Sequence, residues 1–140
     1  MKFVLVNQFR ANGQPAEVGA WVIPGVFQSY FSYPNSADAR ASYNEILQDV
    51  STCSTPDGDA VRKATKTESL DNGFAYFETL RNADGTPAES VGNYSNGSDY
   101  HNYVVIVGDV VEVVMVTGGP SVDSTSQDKA TLALMTSALS

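Results

Sequence analysis

The chain has 140 residues, 42% of them hydrophobic and only 17% charged, against about a quarter charged in an average soluble domain. Eight basic and sixteen acidic side chains leave a formal charge of -8, the wrong sign for a nucleic-acid duplex or an anionic bilayer, both of which select basic patches. The length suits one domain with a real core rather than two, and a lone cysteine, Cys53, excludes an internal disulfide framework and a multi-cysteine zinc site.

Residues 2–10 alternate with a period of two, which predicts a strand. The apolar start, Met1 to Val6, stops at Asn7-Gln8, too short for the hydrophobic region of a secretory signal. Ala11 to Pro15 supplies turn chemistry. An aromatic and β-branched run from Glu17 to Tyr33 is interrupted at Pro24-Gly25 and predicts two strands, or one strand bent at a bulge. After the break Val26, Gln28, Tyr30 and Ser32 share one face, and Phe27, Ser29, Phe31 and Tyr33 the other.

Asn35 or Ser36 can cap a helix beginning there, with Asp38 in its first turn. Ala39, Tyr43, Ile46, Leu47 and Val50 recur at helical spacing, with Arg40, Asn44, Glu45 and Gln48 outside the stripe. Cys53 extends that stripe and is expected to be a buried small hydrophobe. Ser54 to Asp59 reads as a turn and Ala60 to Thr67 as a strand, where Arg62, Lys63 and Lys66 concentrate the scarce positive charge. Residues 73–81 form a firmer strand closed by the Asp84-Gly85 turn, and a polar loop covers roughly 83–98.

The strongest signal is Tyr100 to Thr117, two nearly all-apolar runs joined at Gly108-Asp109, the chemistry of a two-residue hairpin. Strands this apolar need cover on both faces. Ser124 to Gln127 has the capping-box pattern and opens a last helix with Leu132, Met135 and Leu139 at helical spacing. The expected fold is therefore α+β, a single antiparallel sheet of about five to seven strands covered by two helices at about 36–52 and 125–139.

No motif for chemistry emerges. There is no G-x-S-x-G elbow, and Asp57, Asp59, Asp71 and Asp84 lack the spacing of an EF-hand loop. Gly118-Gly119-Pro120 is a turn, lacking the dinucleotide fingerprint. Asn93-Tyr94-Ser95 and Asn96-Gly97-Ser98 are formal glycosylation sequons. His101, the single histidine, reads as a partly exposed structural residue at a sheet edge. An enzyme would require it to lie within hydrogen-bond reach of Cys53 or a buried acid. The remaining signal is an aromatic surplus with polar tips. Tyr30, Tyr94 and Tyr100, on polar strand faces or in the polar loop, together with His101, are the candidate ligand-binding residues of an exposed groove. No catalytic residue, metal or cofactor is expected.

The order of segments resembles a known family. A bent aromatic strand is followed by Tyr33-Pro34-Asn35-Ser36-Ala37-Asp38-Ala39-Arg40-Ala41 opening a helix that ends near Cys53. Polar hairpins come next, then Tyr103-Val104-Val105-Ile106-Val107-Gly108-Asp109-Val110-Val111-Glu112-Val113 and an Ala-rich terminal helix. From about Phe27 onward this is similar to the extracellular sensor domain of actinobacterial PknH-type serine/threonine kinases and their stand-alone lipoprotein relatives. The resemblance implies an antiparallel sheet flanked by helices, with a cleft for an external ligand, on the outer side of the cell envelope. The chain departs from that family in holding Cys53 alone where the kinase domains carry paired cysteines, and no ligand residue carries across.

The expectation is a non-catalytic extracytoplasmic sensor or ligand-binding module, placed in the cell envelope or outside the cell, with any targeting segment outside this sequence. Scarce Lys and Arg with abundant Ser, Thr, Asn and Tyr fit such an exported surface. Its partner would be a small molecule or cell-envelope component, bound between the sheet and the Asn82–Ser98 loop. The alternative is an acidic protein-interaction module of the inhibitor or immunity type that meets a basic partner; a small hydrolase ranks last. Nucleic acid is excluded, and no stretch reaches the ~18–20 apolar residues of a membrane span.

Overall fold

The computed structural model describes residues 2–10, 25–52, 54–57, 60–86, 99–117 and 125–140. Among them the elements follow in the order β1 (Lys2–Arg10), β2 (Gly25–Ser32), α1 (Ser36–Thr52), β3 (Ser54–Asp57), β4 (Ala60–Leu70), β5 (Gly73–Asn82), β6 (Asp99–Val107), β7 (Val110–Thr117) and α2 (Asp128–Leu139). The strands form one 7-stranded sheet in the order β1-β2-β7-β6-β5-β4-β3, and every pairing is antiparallel. With two helices packed on it, this is the α+β architecture expected from the sequence.

The two apolar runs are β6 and β7, and β6 is the middle strand. Alternation sends Tyr103 and Val105 to one face, where they pack with Ala75 of β5 and with Leu132 and Met135 of α2. Val104 and Ile106 go to the other face, where they meet Phe74, Val111 and the Ala39, Tyr43 and Val50 stripe of α1. Both faces of the central strands are thus covered. Phe74, Val104, Val105, Val111 and Leu132 are fully buried, each a gain of about 1.5–3 kcal/mol for a large apolar side chain.

Local chemistry fixes the element ends. Asn35 is the α1 cap: its Oδ1 accepts the Asp38 N–H at 2.9 Å, and its Nδ2 donates back to the Asp38 carboxylate at 3.0 Å. Gly108 has φ of 59°, the positive value that the first position of a two-residue II′ hairpin requires. Gly73 is glycine for a different reason. A Cβ there would lie 3.0 Å from Val105 Cγ1, 3.1 Å from the Val104 carbonyl oxygen and 3.3 Å from Leu132 Cδ2, so its absence lets α2 close onto the sheet.

The structure differs from the sequence expectation in several places. Residues 54–57 form a short edge strand rather than a turn, because β4 offers them an antiparallel partner from Ala60 to Lys63. β4 itself continues to Leu70 past an irregularity between Lys66 and Glu68. α2 begins at Asp128 rather than near 125, and Gln127, its N-cap, makes no side-chain cap hydrogen bond. Instead, the Asp128 N–H closes a turn onto the Thr125 carbonyl at 3.1 Å, and the Asp128 side chain is buried. Cys53, the strand expected before Pro24, the polar loop beyond Thr86 and the Gly118-Gly119-Pro120 turn lie outside the described residues.

Candidate functional site

The two ends of the sheet present different chemistry. At the turn end, the β4–β5 turn at Asp71-Asn72 and the β6–β7 turn at Gly108-Asp109 lie beside the start of α1 and the end of α2. Asn72 is anchored there through its backbone, since its carbonyl accepts the Ile106 N–H at 2.9 Å. Its side-chain Oδ1 accepts from Arg40 Nη2 at 3.1 Å. The Arg40 guanidinium also lies 5.2 Å from the centre of the Tyr43 ring, a cation–π arrangement. A side chain that periodicity places outside the apolar stripe of α1 is therefore held in a defined position.

Two adjoining cavities open around this arrangement. One, of about 530 Å³, runs from Ser36, Ala37 and Arg40 past Asn72 to Gly108 and Thr136. The other, of about 580 Å³, continues over Ser69, Leu70 and Asp71 to Ala133 and Ser137. Asn72, Thr136 and Ser140 line both, so the two form one cleft between the first turn of α1 and the last turns of α2. The size matches small-molecule pockets, and the lining mixes hydroxyl and amide groups with an apolar floor. Among the described residues neither Arg40 nor Asp71 forms an ion pair.

At the opposite end, polar groups turn inward. His101 of β6 is 2% exposed and Asp128 of α2 is 1% exposed, and His101 Nε2 stands 3.0 Å from Asp128 Oδ1. The oxygen lies off the N–H axis, so the contact is close without being an aligned hydrogen bond. Asp128 takes its aligned bonds from Thr67, whose hydroxyl donates to Oδ2 at 2.6 Å, and from Tyr103, whose hydroxyl donates to Oδ1 at 3.1 Å. The imidazole packs between aromatic rings, with centroids 4.3 Å from Phe77 and 4.7 Å from Tyr103. Burial, reinforced by the neighbouring Asp128 charge, pushes the Tyr103 phenol up to about 12.

This arrangement corrects the reading of His101 as partly exposed at a sheet edge. The residue begins a strand, but that strand is the centre of the sheet and α2 closes over it. It also meets the distance condition set for an enzyme, a buried acid beside the histidine. The cluster nevertheless has Thr67 and Tyr103 donating to the carboxylate and rings packed on the imidazole, and both His101 and Asp128 are buried.

The other candidate residues separate. Tyr30 pairs with Glu112 across β2 and β7, on the α2 side of the sheet. Its hydroxyl accepts from Gln28 Nε2, which also donates to the buried Glu112 carboxylate. Burial first, then Glu112, raises the Tyr30 phenol above its ordinary range. Tyr100 follows the alternation of β6 to the opposite face, and Tyr94 lies outside the described residues. Among the described residues no group of three or more His, Cys, Asp or Glu side chains could hold a metal, and no helix is long and apolar enough to cross a membrane.

No protein-family model matches the chain, and no curated protein matches it. A solved structure does. The extracellular domain of PknH from Mycobacterium tuberculosis superimposes with a TM-score of 0.53 at 15% sequence identity, over 82% of this chain and 55% of that one. The two share a fold. The chain spans little more than half the length of that structural neighbour.

Proposed function

We propose that the chain is a non-catalytic sensor or ligand-binding module working in the cell envelope or outside the cell, and that the turn-end cleft receives its small-molecule ligand. The observation that carries this reading is the cleft itself. Four separate chain segments converge there, one holding Arg40 in place, around a space of ligand size. The extracellular placement rests on the fold shared with the PknH extracellular domain and on a surface poor in Lys and Arg. The closed His101–Asp128 cluster supports a non-catalytic role, because a general base must reach the proton it removes.

The test is an NMR screen of the ¹⁵N-labelled protein against sugars, cell-wall fragments and small metabolites. Binding should move the amides of residues 36–40, 71–72, 106–108 and 136–140. A screen in which no compound perturbs these positions, while a basic protein partner is captured in a salt-sensitive way, would replace this reading with that of an acidic interaction module.

A further inference from the structure

We infer that the turn-end cleft takes a small zwitterion, a compound carrying both a carboxylate and an ammonium group, of the amino-acid or short-peptide class. The inference rests on the ligand-binding reading above and specifies its chemistry. The cleft is bipolar. Arg40 lines the cavity beside the first turn of α1, and Asp71 lines the adjoining cavity beside Ser69, Ala133 and Ser137. The two charges flank Asn72, which lines both cavities and ties Arg40 in place through a hydrogen bond of 3.1 Å.

Asp71 is the chain neighbour of Asn72, the residue to which Arg40 is hydrogen-bonded. Neither Arg40 nor Asp71 is in an ion pair among the described residues. Arg40 has its guanidinium carbon over the Tyr43 ring and a single side-chain hydrogen bond, to Asn72. A guanidinium offers five N–H donors in a fixed fork, so donors remain for a carboxylate, the geometry that arginine recognises best. Asp71, on the other side of Asn72, offers an acceptor for an ammonium. What sets Arg40 apart is its place: it lines the cleft and is held there by Asn72 and the Tyr43 ring. A singly charged ligand would pair with only one of the two groups, and a neutral one with neither.

The test is an NMR titration of the ¹⁵N-labelled protein with alanine and alanyl-alanine as zwitterions. N-acetylalanine serves as the carboxylate alone, alaninamide as the ammonium alone and glucose as a neutral polyol. At least one zwitterion should shift the amides of Arg40, Asp71, Asn72 and Thr136, and each single-charge analogue should bind at least tenfold more weakly. Arg40→Gln and Asp71→Asn, both at exposed positions, should each weaken the zwitterion tenfold or more while leaving the remaining spectrum in place. Whether alanine or alanyl-alanine binds tighter tells a free amino acid from a peptide. Single-charge analogues that bind as well as the zwitterions, or variants with unchanged affinity, would overturn the inference. So would glucose or another screen compound occupying the cleft when neither zwitterion does, although the cleft would then stand as a ligand site. If nothing perturbs the cleft, both readings fall.

Discussion

At the Asp128 end of the sheet, side chains from β4, β6 and α2 bond to one another in a largely buried cluster, whereas at the Asn72 end Arg40 and Asp71 line a cleft without an ion pair among the described residues. The same sheet supports both. The difference lies in what covers each end. The start of α2 lies over His101 and Tyr103, while the last turns of α2 and the first turn of α1 leave a gap above the turns. A buried polar group must be satisfied internally because leaving it unpaired costs about 1–3 kcal/mol. An exposed one is held by water until a ligand replaces that water. Polar residues at the first end are therefore expected to govern stability, and those at the second end, binding.

The sharpest way to break this comparison is Asp128→Ala. It strips the acceptor from the Thr67 and Tyr103 hydroxyls, and urea denaturation should register a loss of about 1–3 kcal/mol for each donor left unpaired. His101→Phe should cost distinctly less, because Asp128 keeps both hydroxyl donors and the replacement ring can still pack on Phe77 and Tyr103. If His101→Phe proved as damaging as Asp128→Ala, the His–Asp contact and not the hydroxyl pair would be what holds α2 down.

Gly73→Ala probes the boundary between the two ends. The added methyl meets a backbone oxygen and two core side chains within 3.3 Å, so overpacking of about 1–3 kcal/mol is expected. Because Leu132 would be pushed outward, α2 should shift. Chemical-shift changes spreading along α2 toward Thr136 would show that the helix position sets the width of the cleft, and changes confined to Gly73 would show that it does not.

Alkaline pH gives a smaller, graded effect. An unfolded tyrosine ionises near 10, whereas the Tyr103 phenol is held up to about 12. Between these values the folded state keeps a proton that the unfolded chain has released. The stabilisation is whole below about pH 10 and is lost as pH rises toward 12. Tyr30 and Tyr43 are raised in the same direction, so Tyr103→Phe should reduce the slope of stability against pH without abolishing it. An unchanged slope would mean that the Tyr103–Asp128 contact is not maintained in solution.

The hairpin at 100–117 was legible because Val and Ile in unbroken runs have one structural use, a strand covered on both faces. The α1 stripe and its Asn35 cap were legible because their determinants lie within a few residues of one another. His101 was misread for the opposite reason. Its exposure depends on β6 being the middle strand, which follows from β7 pairing with the distant β2 rather than from anything near residue 101. Asp128 was missed because it sits in what reads as the opening turn of a helix, where an acid is ordinary. The strand face Asp99-His101-Tyr103 was its one available signal, a polar set that calls for a buried partner. The cleft joins residues near 36–40, 69–72, 106–108 and 133–140. Each segment alone reads as a turn or a helix end, so only the assembled sheet reveals it. Asp71 was noticed, but as a metal candidate.

The smallest expected effect is also the one that separates the two ends most cleanly. Arg40→Gln, which gives up the exposed contact with the Tyr43 ring, should cost about 0.5–1 kcal/mol, and Asp71→Asn should change stability by no more than about 0.5 kcal/mol. Their double variant should equal the sum of the two if the charges are unpaired in solution as they are here. A denaturation series on the four proteins measures this directly. A coupling above about 1 kcal/mol would mean that Arg40 and Asp71 attract each other across Asn72 in the free protein. A zwitterion would then have to break that attraction before binding, and the cleft would resemble the Asp128 end, where polar side chains from separate elements already bond to one another.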